Sequence, residues 1–133
     1  MAAWSDVARV ALALPEVEEQ TSRGTVSWQV RGKGFAWERP LRRADLAALG
    51  DRAPTGPVLA AWLPDLGAKE ALLADDPDVY FTTPHFDGHP SVLVRLDLID
   101  PSDLEELVTE AWLARAPKRL SASWLAERNG LTR

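Results

Sequence analysis

The two histidines of this chain stand four residues apart around an aspartate, in the stretch TTPHFDGHPSVLVRLD (82–97). On one continuous strand His85, Asp87 and His89 would point to the same side, offering two imidazoles and a carboxylate, a set that suits zinc or iron. Asp87-Gly88 opposes that geometry, because Asp-Gly favours the tight type I′ turn of a two-residue hairpin. Such a turn pairs Phe86 with His89 and His85 with Pro90. It sorts Val79, Phe81, Thr83, Val92, Val94 and Leu96 onto one face and Tyr80, Thr82, Leu93 and Arg95 onto the other. The two imidazoles then fall on opposite faces of the ribbon, and no metal centre is expected. Ser91, His85 and Asp87 are the residue types of a nucleophilic triad, but no strained nucleophile elbow surrounds the serine. RGKGFAW carries two glycines in a hairpin context and not in the strand-to-helix turn of a phosphate loop. The chain has no cysteine, which removes thiol nucleophiles, thiolate zinc sites and disulfides together. The residues therefore assign no catalytic group and no cofactor.

The elements that position this stretch are readable from periodicity. Val7, Val10, Ala11 and Leu14 form one helical stripe, with Ser5 as the expected cap and Pro15 as the expected end. From Thr25 the period becomes two. Val26, Trp28 and Val30, then Phe35 and Trp37, predict a hairpin with Gly32-Lys33 at its turn, Val30 opposite Phe35 and Trp28 opposite Trp37. RADLAALG predicts a short helix ended by Gly50 inside an otherwise irregular connection over 40–57. PVLAAWLP predicts a strand and LGAKEALLADDP a two-turn helix. Asp100, with Pro101 after it, caps the strongest helix, whose stripe is Leu104, Leu107, Val108, Ala111 and Trp112. Pro117 interrupts it, and KRLSASWLAERNG makes a last short helix. Hairpins in the middle and helices gathered at the ends predict a single α+β domain over 1–133, a twisted antiparallel sheet flanked by N- and C-terminal helices. At 133 residues and 46% hydrophobic content the chain can build a real core.

The formal net charge is -5, which argues against indiscriminate binding to nucleic acid. The charges are unevenly placed. Arg23, Arg31, Lys33, Arg39, Arg42 and Arg43 cluster in 23–43, and Arg115, Lys118, Arg119, Arg128 and Arg133 near the end, whereas acids dominate 65–110. The N-terminal stretch MAAWSDVARVALALPEVEEQ has no basic lead and carries charges among its apolar residues, so it reads as an amphipathic helix and not as a signal peptide. No run is long enough to span a bilayer, and the expected setting is cytoplasmic.

The combination of PHFDGHP, VLVRLD and AWLARAPKRL with the earlier LALPEVEE and WQVRGKGFAWERPL resembles the MmcQ/YjbR family of small bacterial proteins over nearly the whole chain. The resemblance implies an α+β fold similar to frataxin-like CyaY domains. It also implies a DNA-binding role, through a proposed double-wing motif of hairpins and helices. The matching positions are Pro84, His85, Phe86, Asp87, Gly88 and Pro90 in the turn, Arg95 and Asp97 beyond it, and Trp112, Ala116, Pro117, Lys118 and Arg119. Against that pattern RRADLAALGDRAPTGP reads as insert-like. The CyaY likeness does not import iron binding, because the first helix brings no acidic ridge beyond Asp6, Glu16, Glu18 and Glu19. Two readings follow. In the first, the protein is a non-enzymatic DNA-binding protein that meets backbone phosphates with Arg31, Lys33, Arg39, Arg42, Arg43, Lys118 and Arg119, the first three being largely exposed. In the alternative it is a small-molecule or protein-partner module in which the 84–90 turn, Arg95 and the Trp62 region of the adjacent sheet face line a groove, whereas in a purely structural role Arg95 pairs with a local acid.

Overall fold

The computed structural model describes residues 2–128 and Gly130. Its centre is a six-stranded antiparallel sheet in the order β1-β2-β3-β4-β6-β5. The strands are β1 (Val17–Ser22), β2 (Thr25–Val30), β3 (Lys33–Glu38), β4 (Val58–Trp62), β5 (Tyr80–Phe81) and β6 (Ser91–Arg95). Helices α1 (Trp4–Leu12) and α4 (Pro101–Arg115) pack against each other on one face, with α4 lying across β3 and β4. Helix α3 (Leu66–Asp75) covers β5 and β6, and α5 (Lys118–Arg128) follows α4. The larger core lies between these helices and the sheet, around Trp28, Phe35, Leu59, Val92, Val94, Leu104 and Trp112. A smaller core of Val58, Ala60, Phe81, Phe86 and Leu93 occupies the other face. It is covered by α2 (Arg43–Leu49) and by a one-turn 3-10 helix at Pro84–Phe86.

Several local expectations hold. Asp100 caps α4, its carboxylate accepting the Ser102 N–H at 3.1 Å, and the Leu104 to Trp112 stripe is buried. Gly50 closes α2 with φ +57°. Others need correction. The first helix starts before Ser5: Ala3 is its N-cap, and the Asp6 carboxylate accepts the Ala3 N–H at 2.8 Å. VEEQTS forms a strand that the sequence reading leaves out, because five of its six residues are exposed and no apolar alternation marks it.

The first hairpin turns at Arg31-Gly32, with φ +49° and +81°, and not at Gly32-Lys33. Two positive φ values in succession make a type I′ turn. Val30 therefore faces Lys33, Gln29 faces Gly34, and Trp28 faces Ala36. Phe35 is the extra residue of a bulge, which changes the direction of the side chains after it. Trp28 and Phe35 enter the larger core, and Trp37 packs against the smaller one.

The second hairpin is also off by one residue. Tyr80 pairs with Val94 and Phe81 with Leu93, where an Asp-Gly I′ turn would set Phe81 opposite Val94. Asp87 has φ −58° and ψ 129°, and Gly88 has φ +74°, the values of a type II turn closed by the His89 N–H on the Phe86 carbonyl at 3.0 Å. That turn lies within a longer connection over 82–90 and does not set the strand register. A one-residue slip exchanges faces, so Tyr80 joins the larger core and Phe81 the smaller.

Trp112 is 0% exposed and its indole N–H donates to the Pro15 carbonyl at 3.1 Å, tying α4 to the entry of β1. Replacing it with alanine should cost about 3–5 kcal/mol, read as a fall in the denaturant midpoint; an unchanged midpoint would mean that this stripe is not core.

Candidate binding groove beside the 84–90 turn

The connection over 82–90 is held by a lysine. Lys69 on α3 is buried, and its ammonium donates to the carbonyls of Phe86 at 2.7 Å and His89 at 3.0 Å. Burial pushes its pKa below the usual lysine range, opposed by the nearby Asp87 carboxylate. His89 is half-buried against Trp62, ring centroids 4.8 Å apart, with its Nδ1 2.8 Å from the Ser91 hydroxyl. Burial, then the charge of Lys69, lowers its pKa, so the imidazole is neutral near pH 7. Ser91 thus meets His89 and not His85, and it is 0% exposed, out of reach of a substrate. The Phe86 ring packs edge-on against both imidazoles, 4.9 Å from His85 and 5.8 Å from His89. Among the described residues no group of three or more His, Asp or Glu is placed to hold a metal ion.

On the far side of Phe86 an open groove of ≈ 470 Å³ runs along the β3 exit. Trp37, Leu41 and Phe86 form its floor, and the exposed side chains of Arg23, Arg42 and His85 stand on its rim. Neither Arg23 nor Arg42 has a salt-bridge partner among the described residues. Arg42 arrives there because it is the N-cap of α2, where its backbone N–H donates to the Asp45 carboxylate at 2.8 Å. Arg23 arrives through the tight β1–β2 turn, with φ +52° at Arg23 and +79° at Gly24.

The proposed phosphate contacts do not form one surface. Lys33 opens β3 and Arg39 follows its end, so they are separated along the strand by roughly 20 Å. Arg39 is 7% exposed and not a surface residue: its guanidinium pairs with Asp45 at 3.1 Å and lies over Phe86. Arg31 remains exposed but is joined to Glu16 through contacts of 2.6 and 3.1 Å. Arg42 and Arg43 are exposed at the start of α2. Lys118 and Arg119 open α5, close to where Arg115 stacks over Trp62 at 4.1 Å. They therefore lie at the Lys33 end of the sheet. Among the described residues Arg95 has no salt-bridge partner, so the local acid expected for it is not found. It is buried over the Phe81 ring and donates to the Arg52 carbonyl at 2.6 Å and, more weakly, to those of Pro77 and Asp78. Of the turn residues, Pro84, His85, Asp87 and Gly88 are exposed, Pro90 is half-buried and Phe86 is buried.

The sequence reading missed Lys69 and Asp45 as positioning residues. Each is the one buried residue of its helix, so no apolar stripe around it marked the position in the sequence.

Asp45 and Arg39 are both almost enclosed, and breaking a buried pair by removing one partner typically costs about 3–5 kcal/mol. Burial raises the Asp45 pKa, but the Arg42 N–H and the Arg39 charge outweigh it and hold the carboxyl below its usual range. Its contribution is therefore complete above the unfolded-chain value of about 3.9 and lost as pH falls through the lower folded value. Asp45→Asn should lower stability at pH 7, and the deficit should shrink on acidification in chemical denaturation; a deficit constant between neutral and strongly acid pH would remove the charge from this account. Lys69→Met removes the charged donor shared by the Phe86 and His89 carbonyls, which keep the backbone N–H groups of His89 and Ser91, and should cost about 1–3 kcal/mol. Hydrogen exchange should show the loosening concentrated in 84–91.

A family model described as YjbR matches residues 12–114. The uncharacterized proteins Rv2570 and MT2646 of Mycobacterium tuberculosis and Mb2600 of Mycobacterium bovis are each 53% identical over 129 residues, covering 95% of this chain and 98% of theirs. Among solved structures, the crystal structure of Deinococcus radiodurans protein DR2400, with domain DUF419, superposes with a TM-score of 0.63. The match covers 100% of this chain and 84% of that one at 18% identity, a likeness of fold. The motif resemblance and the model match agree, and the chain belongs to the YjbR family.

Proposed function

We propose that the protein is a non-enzymatic binding module whose contact surface is the groove beside the 84–90 turn, and that it takes an anionic ligand with a flat apolar part. The observation that supports this reading is the meeting of two rim arginines, Arg23 and Arg42, which have no acid partner among the described residues, with a floor whose accessible aromatic group is the half-buried Trp37. Arginine offers a planar fork to phosphate, sulfonate or carboxylate, while the aromatic floor accepts a ring. His85 adds a further donor on the same rim. The groove lies within the size range of small-ligand sites, about 300–1,000 Å³.

A second reading, DNA bound through its backbone phosphates, is favoured by a different observation. Lys33, Lys118 and Arg119 are exposed at the other end of the sheet, and none has a salt-bridge partner among the described residues. The net charge of -5 and the Glu16 carboxylate on Arg31 weigh against it. A cytoplasmic setting is proposed with both readings. Among the described residues no helix is long and apolar enough to cross a membrane.

The readings separate in titrations at low salt with two probes, the anionic aromatic dye anilinonaphthalene sulfonate and labelled single-stranded and duplex oligonucleotides. Arg23→Glu with Arg42→Glu should weaken dye binding at least about tenfold, the equivalent of about 1.4 kcal/mol. Lys33→Glu, Lys118→Glu and Arg119→Glu together should leave the dye unaffected. Oligonucleotide binding that is lost in this triple variant, with a steep salt dependence in the wild type, would instead establish the phosphate reading. Dye binding unaltered by the arginine reversals would end the groove reading.

A further inference from the structure

On the opposite face of the sheet a second cavity, of ≈ 370 Å³, opens between α3 and α4. Its walls are acidic. Asp75 and Asp76 come from the end of α3, and Asp103, Glu106 and Glu110 from one side of α4. Among the described residues none of these carboxylates has a salt-bridge partner. Lys69, the lysine of α3, turns its ammonium to the Phe86 and His89 carbonyls, and Arg128 of α5 stacks over Trp124 at 5.0 Å.

Without a counter-charge this arrangement is unfavourable. Asp103 and Glu106 are three residues apart and Glu106 and Glu110 four, so like charges are neighbours on one helix face. Asp75 is the last residue of α3 and Asp76 its C-cap, at the negative end of the helix dipole, where a cation is favoured. Nothing in the packing requires five carboxylates here.

The floor is apolar, with Leu63, Ala68, Leu72 and Leu107, and it also holds Tyr80. Tyr80 is 7% exposed, and among the described residues its hydroxyl has no hydrogen-bond partner. Burial, with Asp103, Asp76, Glu106 and Asp75 around it, pushes its pKa up to about 12, so it stays a neutral hydroxyl able to accept from an ammonium. The residue as a whole is buried while its hydroxyl is open to the cavity, where an incoming donor can reach it.

We infer that the α3–α4 cavity is a binding site for a linear polyamine. Along α4 the carboxylates rise by roughly 4.5 Å from Asp103 to Glu106 and 6 Å from Glu106 to Glu110. Ammonium groups joined by short methylene spacers match that ladder, and the spacers match the leucine floor. A bare divalent cation would meet the carboxylates but gain nothing from the apolar surface and would surrender hydration to reach them. The site is independent of the groove at Trp37, which lies across the sheet and selects the opposite charge.

Calorimetric titration of the full chain at low salt with spermidine tests the assignment. One spermidine per chain should bind saturably, and butylamine at least tenfold more weakly. Glu106→Gln with Glu110→Gln should weaken spermidine at least tenfold. The same variant should unfold at a temperature no lower than the wild type, since both side chains are exposed and the change removes repulsion. A double variant that binds spermidine as well as the wild type, a charge-matched magnesium solution that competes equally well, or the absence of saturable binding would each overturn the assignment.

Discussion

Everything on the second face of this sheet follows from the pairing of β4 with β6. Leu59, Ala60, Ala61, Val92, Leu93 and Val94 are each at most 1% exposed, so this strand pair must be covered on both sides. Helices α3 and α4 supply one cover. The other has to come from segments with little regular structure: 40–57 with its short α2, and 82–90 with its single 3-10 turn. Irregular backbone laid over an apolar sheet brings polar groups that the sheet cannot satisfy. The protein meets this with three enclosed cations. Arg39 pairs with Asp45 under α2, Lys69 holds the carbonyls of 86 and 89, and Arg95 reaches the carbonyls of 52, 77 and 78. Lys69 and Arg95 join segments distant in sequence, Arg39 and Asp45 fasten the entry of α2, and each cation's charge is unavailable to a ligand.

That use of charge separates what composition suggests from what the surface offers. A basic run over 23–43 invites a reading as one phosphate-binding strip. In space Arg39 belongs to the interior, Arg31 to Glu16, and Lys33 to the far end of the strand. What remains near the 84–90 turn is a shorter set, Arg23, Arg42 and His85, collected by a tight turn, a helix N-cap and a 3-10 helix. The acidic run over 65–110 behaves differently. Its carboxylates stay at the surface, and five of them are brought together by α3 and α4 with no cation from the described chain between them.

The helices were legible because their signals are local. Asp100-Pro101, Gly50 and the Leu104 to Trp112 stripe each act within a few residues. The sheet was legible in class and not in register, for reasons that individual residues show. VEEQTS is an edge strand with almost no buried face, so it carries no alternation. Phe35 is a bulge residue, and a bulge breaks the period on which pairing is counted. Asp87-Gly88 can close either a type I′ or a type II turn. The choice depends on Asp87, which adopts φ −58° after the 3-10 turn that Pro84 begins.

The same distinction governs the candidate sites. The motif residues were found as a sequence cluster, but their partners come from elsewhere: Lys69 from α3, Trp62 from β4, and Arg39 after β3, itself held by Asp45 of α2. His85 and His89 illustrate the consequence. Adjacent in the motif and sharing the Phe86 ring, they serve different surroundings. His89 is neutral and packed into the clamp that shapes the turn, while His85 is exposed on the rim of the groove. A cluster that looks like one catalytic centre is therefore divided by a single aromatic ring into a part that holds the fold and a part that opens on the groove.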